Sequence, residues 1–134
     1  MSVYIADTAS VSPLAHVRGG ALVKNNAVIG AGAYIGGLTI VTDNARVSDF
    51  AEVGGSSVIQ GNAIVRGYAK VGGEAWVCEQ ALIYDHAKVY SDAIIRGKAQ
   101  VGGDAVICGR SILEGDVNTP GGRIENVHWW RDIP

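Results

Sequence analysis

The chain has 134 residues, of which 48% are apolar and 18% charged, and its formal net charge is −2. That length suits one domain, and the slightly negative balance argues against a nucleic-acid partner, which would call for a basic surface. No stretch approaches the ~20 consecutive apolar residues of a membrane span, and Met1 to Ala9 lacks a basic region followed by an apolar one, so the expectation is a cytoplasmic protein without membrane association.

From the N-terminus onward one six-residue unit repeats. It opens at Val3-Tyr4-Ile5-Ala6-Asp7-Thr8 and closes at Ser111-Ile112-Leu113-Glu114-Gly115-Asp116, giving 19 hexads over 114 residues without insertion or deletion. The run from Asn62 to Lys98 shows the frame most plainly. The third position is Val 11 times, Ile 7 times and Leu once, at Leu113. A branched aliphatic at every turn of the repeat marks this column as core. The first position is Ala 15 times, the exceptions being Val3, Thr39, Ser57 and Ser111. Residues two apart on a strand share a face, so both columns point inward. Positions five and six are rich in Gly, Asn and Asp, which bend a chain or accept positive φ cheaply. Each hexad therefore predicts one short strand and one corner, and the corners account for pairs such as Gly54-Gly55, Gly72-Gly73 and Gly102-Gly103 without a phosphate loop.

Short strands joined by tight corners stack as a parallel solenoid whose coils pair at ~4.8 Å. The small-x-aliphatic-x-x-x frame over residues 3–116 resembles the hexapeptide-repeat superfamily, in particular its insertion-free, Ala/Val-rich bacterial and phage members. That resemblance implies an all-β fold: a left-handed parallel β-helix, three-sided, with 18 residues per coil and about six coils. It divides the chain into a β-helix domain, 1–119, and a C-terminal tail, 120–134.

Taking every eighteenth residue of the outward second position separates the faces. One column reads Tyr4, Leu22, Ile40, Val58, Trp76, Ile94 and Ile112, all large and apolar. The others are mixed: Ser10, Val28, Arg46, Ile64, Leu82, Gln100 and His16, Tyr34, Glu52, Lys70, Lys88, Val106. An apolar stripe ~30 Å tall exceeds what a monomer normally leaves wet. The stripe is expected to be an oligomer interface, since hexapeptide-repeat proteins usually form parallel trimers; the chain's own tail is the other candidate cover. At one corner Thr8, Asn26, Asn44, Asn62, Gln80 and Lys98 align, so stacked Asn side chains are expected to bond as a ladder. The neighbouring corner carries Leu14, Gly32, Phe50, Tyr68, His86 and Asp104, the one chemically mixed ridge. Cys78 and Cys108 occupy outward fourth positions five hexads apart, which places them on different faces as free thiols.

The frame stops at the turn signal Val117 to Gly122. The aperiodic segment beyond it carries Trp129 and Trp130, expected to cap the last coil or to pack on a neighbouring subunit. Arg131 to Pro134 is similar to the segment that follows the last coil in many hexapeptide acetyltransferases.

For chemistry, His16 and His86 lie nearly four coils apart and do not share an ion within one chain, so no metal and no resident cofactor are expected. The family's acyltransferases use a corner His as general base, which nominates His86, with Tyr84 and Asp85 to orient it and acyl-CoA as co-substrate. Those enzymes carry a loop extruded from the coil to enclose the substrates, and this chain extrudes none. The reading adopted is a non-catalytic homotrimeric solenoid, a rigid binding or assembly module for a protein partner, of the kind found among bacterial and phage proteins. Two alternatives stand beside it: the His86 acyltransferase, and a trimer that captures a small anionic ligand in inter-subunit grooves through Arg18, Arg66, Lys88 or Arg96.

Overall fold

The computed structural model describes residues 3–129. Trp130 and the Arg131 to Pro134 segment lie outside the described residues. Within them the chain is all-β: 22 strands, nearly all two residues long, form three parallel sheets of eight, seven and seven strands. Each sheet takes every third strand in chain order, so the chain winds through about seven coils. Sheet 1 starts at Tyr4–Ile5, sheet 2 at Ser10–Val11 and sheet 3 at His16–Val17. Registers such as Val58↔Trp76, Ile64↔Leu82 and Lys70↔Lys88 are 18 residues apart, as the columns require. Each coil donates its strand N–H groups to the next, for instance Lys70 N to Ala87 O at 2.9 Å and Trp76 N to Ala93 O at 2.9 Å.

The first and third positions fill the prism. From Ala21 to Leu113 these residues are 2% exposed or less. Among the described residues none lies beneath the first coil, and there Ile5 is 43% exposed. Alternating Ala with a branched aliphatic lets three sheets converge on a lumen too narrow for larger pairs.

Most corners depend on one left-handed residue at position five. Asn25, Asp43, Asp49, Glu79, Asp85 and Ser91 have φ between 55° and 63° there, and Gly takes the same place at most other corners, whereas at Ala31-Gly32 the left-handed residue is Gly32, at position six. An acid in this conformation points its carboxylate at the next coil. Asp43 accepts from Gly61 N at 3.1 Å, Asp49 from Gly67 N at 3.1 Å, Glu79 from Gly97 N at 2.7 Å and Asp85 from Gly103 N at 3.3 Å. Each acid is thus followed 18 residues later by Gly. The expected sixth-position ladder of Asn26, Asn44 and Asn62 does not form among the described residues. Polar bonding at that corner runs through position five instead, where Asn25 donates to Thr42 Oγ1 at 3.0 Å and to Asp43 Oδ1 at 3.2 Å. Position five wins because its left-handed backbone aims the side chain along the stack.

The segment after the last hexad adds a further coil. Asn118–Thr119 pairs with Gln100–Val101 at a spacing of 18, Arg123–Glu125 with Val106–Cys108 at 17, and His128–Trp129 with Ile112–Leu113 at 16. Two residues are lost around the coil, which hides it from a strict six-residue frame. The pairing of Cys108 with Glu125 leaves Cys108 2% exposed, whereas the frame alone places its side chain outward in solvent. Cys108 and the half-buried Cys78 are both free thiols. Burial, then the charge of Glu79, pushes the Cys78 thiol up, against Arg96. No helix among the described residues is long and apolar enough to cross a membrane.

Candidate functional site

The chemically mixed ridge stands where the chain turns into sheet 3. Equivalent corner positions on coils ~4.8 Å apart set ring above ring at stacking distance. Phe50 and Tyr68 stack at 5.4 Å and 11°, and Tyr68 and His86 at 5.0 Å and 8°. Beside this ladder run the outward residues Glu52, Lys70, Lys88 and Val106, neighbours in register. Ladder and row enclose a depression of about 700 Å³ that reaches Asp104 at its upper end. A second depression, of about 350 Å³, lies across the same lysines. Gly54, Gly55 and Gly72 line it together with Tyr34 and Tyr90.

The three residues nominated for acyl transfer diverge. His86 is committed to the ring stack, and its backbone N–H donates to Gly103 O at 2.9 Å. The Asp85 carboxylate turns up the corner to Gly103 N. Tyr84 lies on sheet 2 with its ring over Gly102, and the Arg66 guanidinium stands 6.0 Å from that ring. Neither Asp85 nor Tyr84 bonds the imidazole among the described residues, so no orienting partner fixes its tautomer, a usual requirement of a general base.

The four nominated cations are also dispersed. Arg18 lies 5.1 Å from the Tyr34 ring on sheet 3, Arg66 stands over Tyr84 on sheet 2, and Arg96 Nη2 pairs with Glu114 Oε1 at 3.1 Å on sheet 1. Lys88 alone borders the depressions. Its companion there is Lys70, which the hexad columns place one coil below it but which drew no notice as a ligand candidate because paired charges on one face read as a solvated surface. Neither lysine makes an ion pair among the described residues.

The apolar column runs the height of sheet 1 in unbroken register from Tyr4 to Ile112. Tyr4 is 55% and Trp76 48% exposed, and Leu22, Ile40, Val58, Ile94 and Ile112 are half-buried by one another. The described part of the tail does not cover this stripe. It extends the sheet, since His128 continues the column above Ile112 and joins Glu114 through its ring nitrogen. Among the described residues no group of three or more His, Cys, Asp and Glu is placed to hold a metal ion. Neither a scan against protein-family models nor a search of curated proteins finds a match to this chain.

Proposed function

We propose that this chain is a hexapeptide-repeat protein with a left-handed coil, working in the cytoplasm as a non-catalytic homotrimer: a rigid binding or assembly module. One observation carries the reading. Seven large apolar side chains stand in register on one flat sheet, and the described tail leaves them open. A surface of that kind is stabilised by burial, at ~1.5–3 kcal/mol for each fully buried side chain. The resemblance in the repeat supplies the number three. The test is sedimentation equilibrium at micromolar concentration: wild-type protein should run at three chain masses, and Trp76→Glu or Ile40→Glu should yield monomer or aggregate. A monomeric wild type overturns the reading.

The depression beside His86 favours a second reading, an acyl-CoA-dependent acyltransferase with His86 as base. The divergence of Asp85 and Tyr84 from that ring weighs against it. Acetyl-CoA that binds, raises the melting temperature and is consumed in the presence of an amine or hydroxyl acceptor would reverse the preference.

A further inference from the structure

We propose that sheet 3 carries a binding site for a small planar ring bearing an anionic group, of the aryl phosphate or aryl carboxylate class, seated across Lys70 and Lys88. The site deepens the binding-module reading but uses a different face from the trimer.

The cationic half is a pair of lysines in direct register, Lys70↔Lys88. Like charges placed side by side on a sheet repel, and although Glu52 stands in register below Lys70, no carboxylate among the described residues closes an ion pair with either ammonium. An anion lying between two ammonium groups removes that repulsion and gains charge-assisted hydrogen bonds. His86 and Tyr68 border the same spot from the ridge side.

The planar half follows from how this protein already seats its own rings. Tyr34 lies against Gly36, where a methyl group would come within 3.1 Å of the ring, and Tyr84 lies over Gly102 in the same way. Both glycines hold the outward fourth position of a hexad, where the missing side chain bares the backbone. Directly above Gly36 come Gly54 and Gly72, and around both of these nothing lies within 4 Å of a would-be Cβ. They are two further seats of the same kind with no ring on them. Tyr34 closes the recess below and Tyr90 above, three coils apart, or ~14 Å at the strand spacing. The lower wall is braced, since Arg18 stands over the Tyr34 ring. The opening accepts one ring lying flat, with the lysines at its edge to take the charge.

The ligand-binding test uses phenyl phosphate, benzoate, inorganic phosphate and phenol, each titrated into the full chain by calorimetry. Phenyl phosphate and benzoate should bind, with phosphate and phenol weaker by about tenfold or more, because each offers one half of the ligand. Lys70→Ala with Lys88→Ala should weaken phenyl phosphate by about tenfold or more, and Lys24→Ala, on sheet 1, should change nothing. Gly72→Leu fills the recess at a position type that elsewhere carries Tyr84 and Tyr90, so it should abolish binding without lowering the melting temperature. Equal binding of phenyl phosphate and inorganic phosphate would overturn the planar half. Undiminished binding by Gly72→Leu, or no binding of phenyl phosphate at millimolar concentration, would overturn the site. Because the readout is ligand affinity, its failure leaves the sedimentation result for sheet 1 untouched, and the reverse also holds.

Discussion

The imidazole of His86 lies 5.0 Å from the phenol ring of Tyr68 and within 8° of parallel to it, the upper end of a stack that starts at Phe50. A ring held by its faces supports the corner, and its edge is left to solvent without an orienting carboxylate.

His86→Ala should therefore cost about 0.5–1.5 kcal/mol, the usual range for an aromatic pair, and toward its lower end because Tyr68 and Phe50 are 55% and 60% exposed. His86→Phe should recover that loss, as urea denaturation would show. Equal destabilisation by both variants would mean that the stack contributes nothing. Were His86 a general base, the alanine variant would instead lower acyl transfer by ~10²–10⁴, and His86→Phe would not rescue it.

Gly54 and Gly55 are adjacent and should respond oppositely to alanine. A methyl group on Gly54 meets nothing within 4 Å, and a less flexible unfolded chain makes Gly54→Ala neutral or stabilising by up to ~1 kcal/mol. Gly55 has φ +67°, and a methyl group there would stand 2.5 Å from Gly73 O, so Gly55→Ala should destabilise by at least ~1–2 kcal/mol. Equal melting temperatures for the two variants would contradict the corner geometry.

The final coil should loosen in acid. Glu114 is held below the ordinary carboxylate range, first by its hydrogen bond to His128 and further by Arg96, with desolvation opposing. A carboxyl whose folded value is depressed contributes stability that is present above its unfolded value, ~4.3, and is lost as pH falls through the folded value. The reporter is the amide of Ile112, which donates to Val127 O at 2.8 Å. Its exchange protection should drop from about pH 6 to about pH 3, across the carboxylate range, while the Ile94 amide, bonded to Ser111 O, stays protected. In Glu114→Gln the Ile112 amide should be less protected than in wild type at the higher pH, and the difference should shrink at the lower pH, where Glu114 becomes protonated. A pH-independent amide in wild type would refute the clamp.

Much of this fold was legible because each hexad repeats the same physics. An inward Val65 or Ile83 and an inward Ala63 or Ala81 leave one consistent register, and Ile64↔Leu82 follows from it. The ridge of Phe50, Tyr68 and His86 was legible for the same reason. What escaped was set by distances along the stack rather than along the chain. Asp85 adjoins His86 in sequence, yet its left-handed backbone sends the carboxylate to Gly103, eighteen residues on. The final coil escaped because its period shrinks to 17 and then 16, so Arg123 and His128 fall outside every column although their strands pair normally. Burial of Cys108 by that coil was hidden with it.

Thr39 offers a last test, inside the prism. It is one of the few exceptions in the first-position column, fully buried, and its Oγ1 has no hydrogen-bond partner. The two serines of that column solve the same problem locally: Ser57 Oγ donates to Gly54 O at 2.7 Å and Ser111 Oγ to Cys108 O at 2.8 Å. A buried hydroxyl left unpaired costs ~1–3 kcal/mol in lost hydration. Thr39→Val keeps the shape and removes the hydroxyl, so it should raise stability by about 1 kcal/mol, or the melting temperature by roughly 3–5 °C. Thr39→Ala also removes the hydroxyl but gives up a methyl group worth ~0.8 kcal/mol, and should fall near wild type. The order Val above Ala, with Ala level with wild type, is the expected calorimetric result. A Thr39→Val protein less stable than wild type would show that the hydroxyl is paired in solution, and the orphaned group would then be no defect of the core.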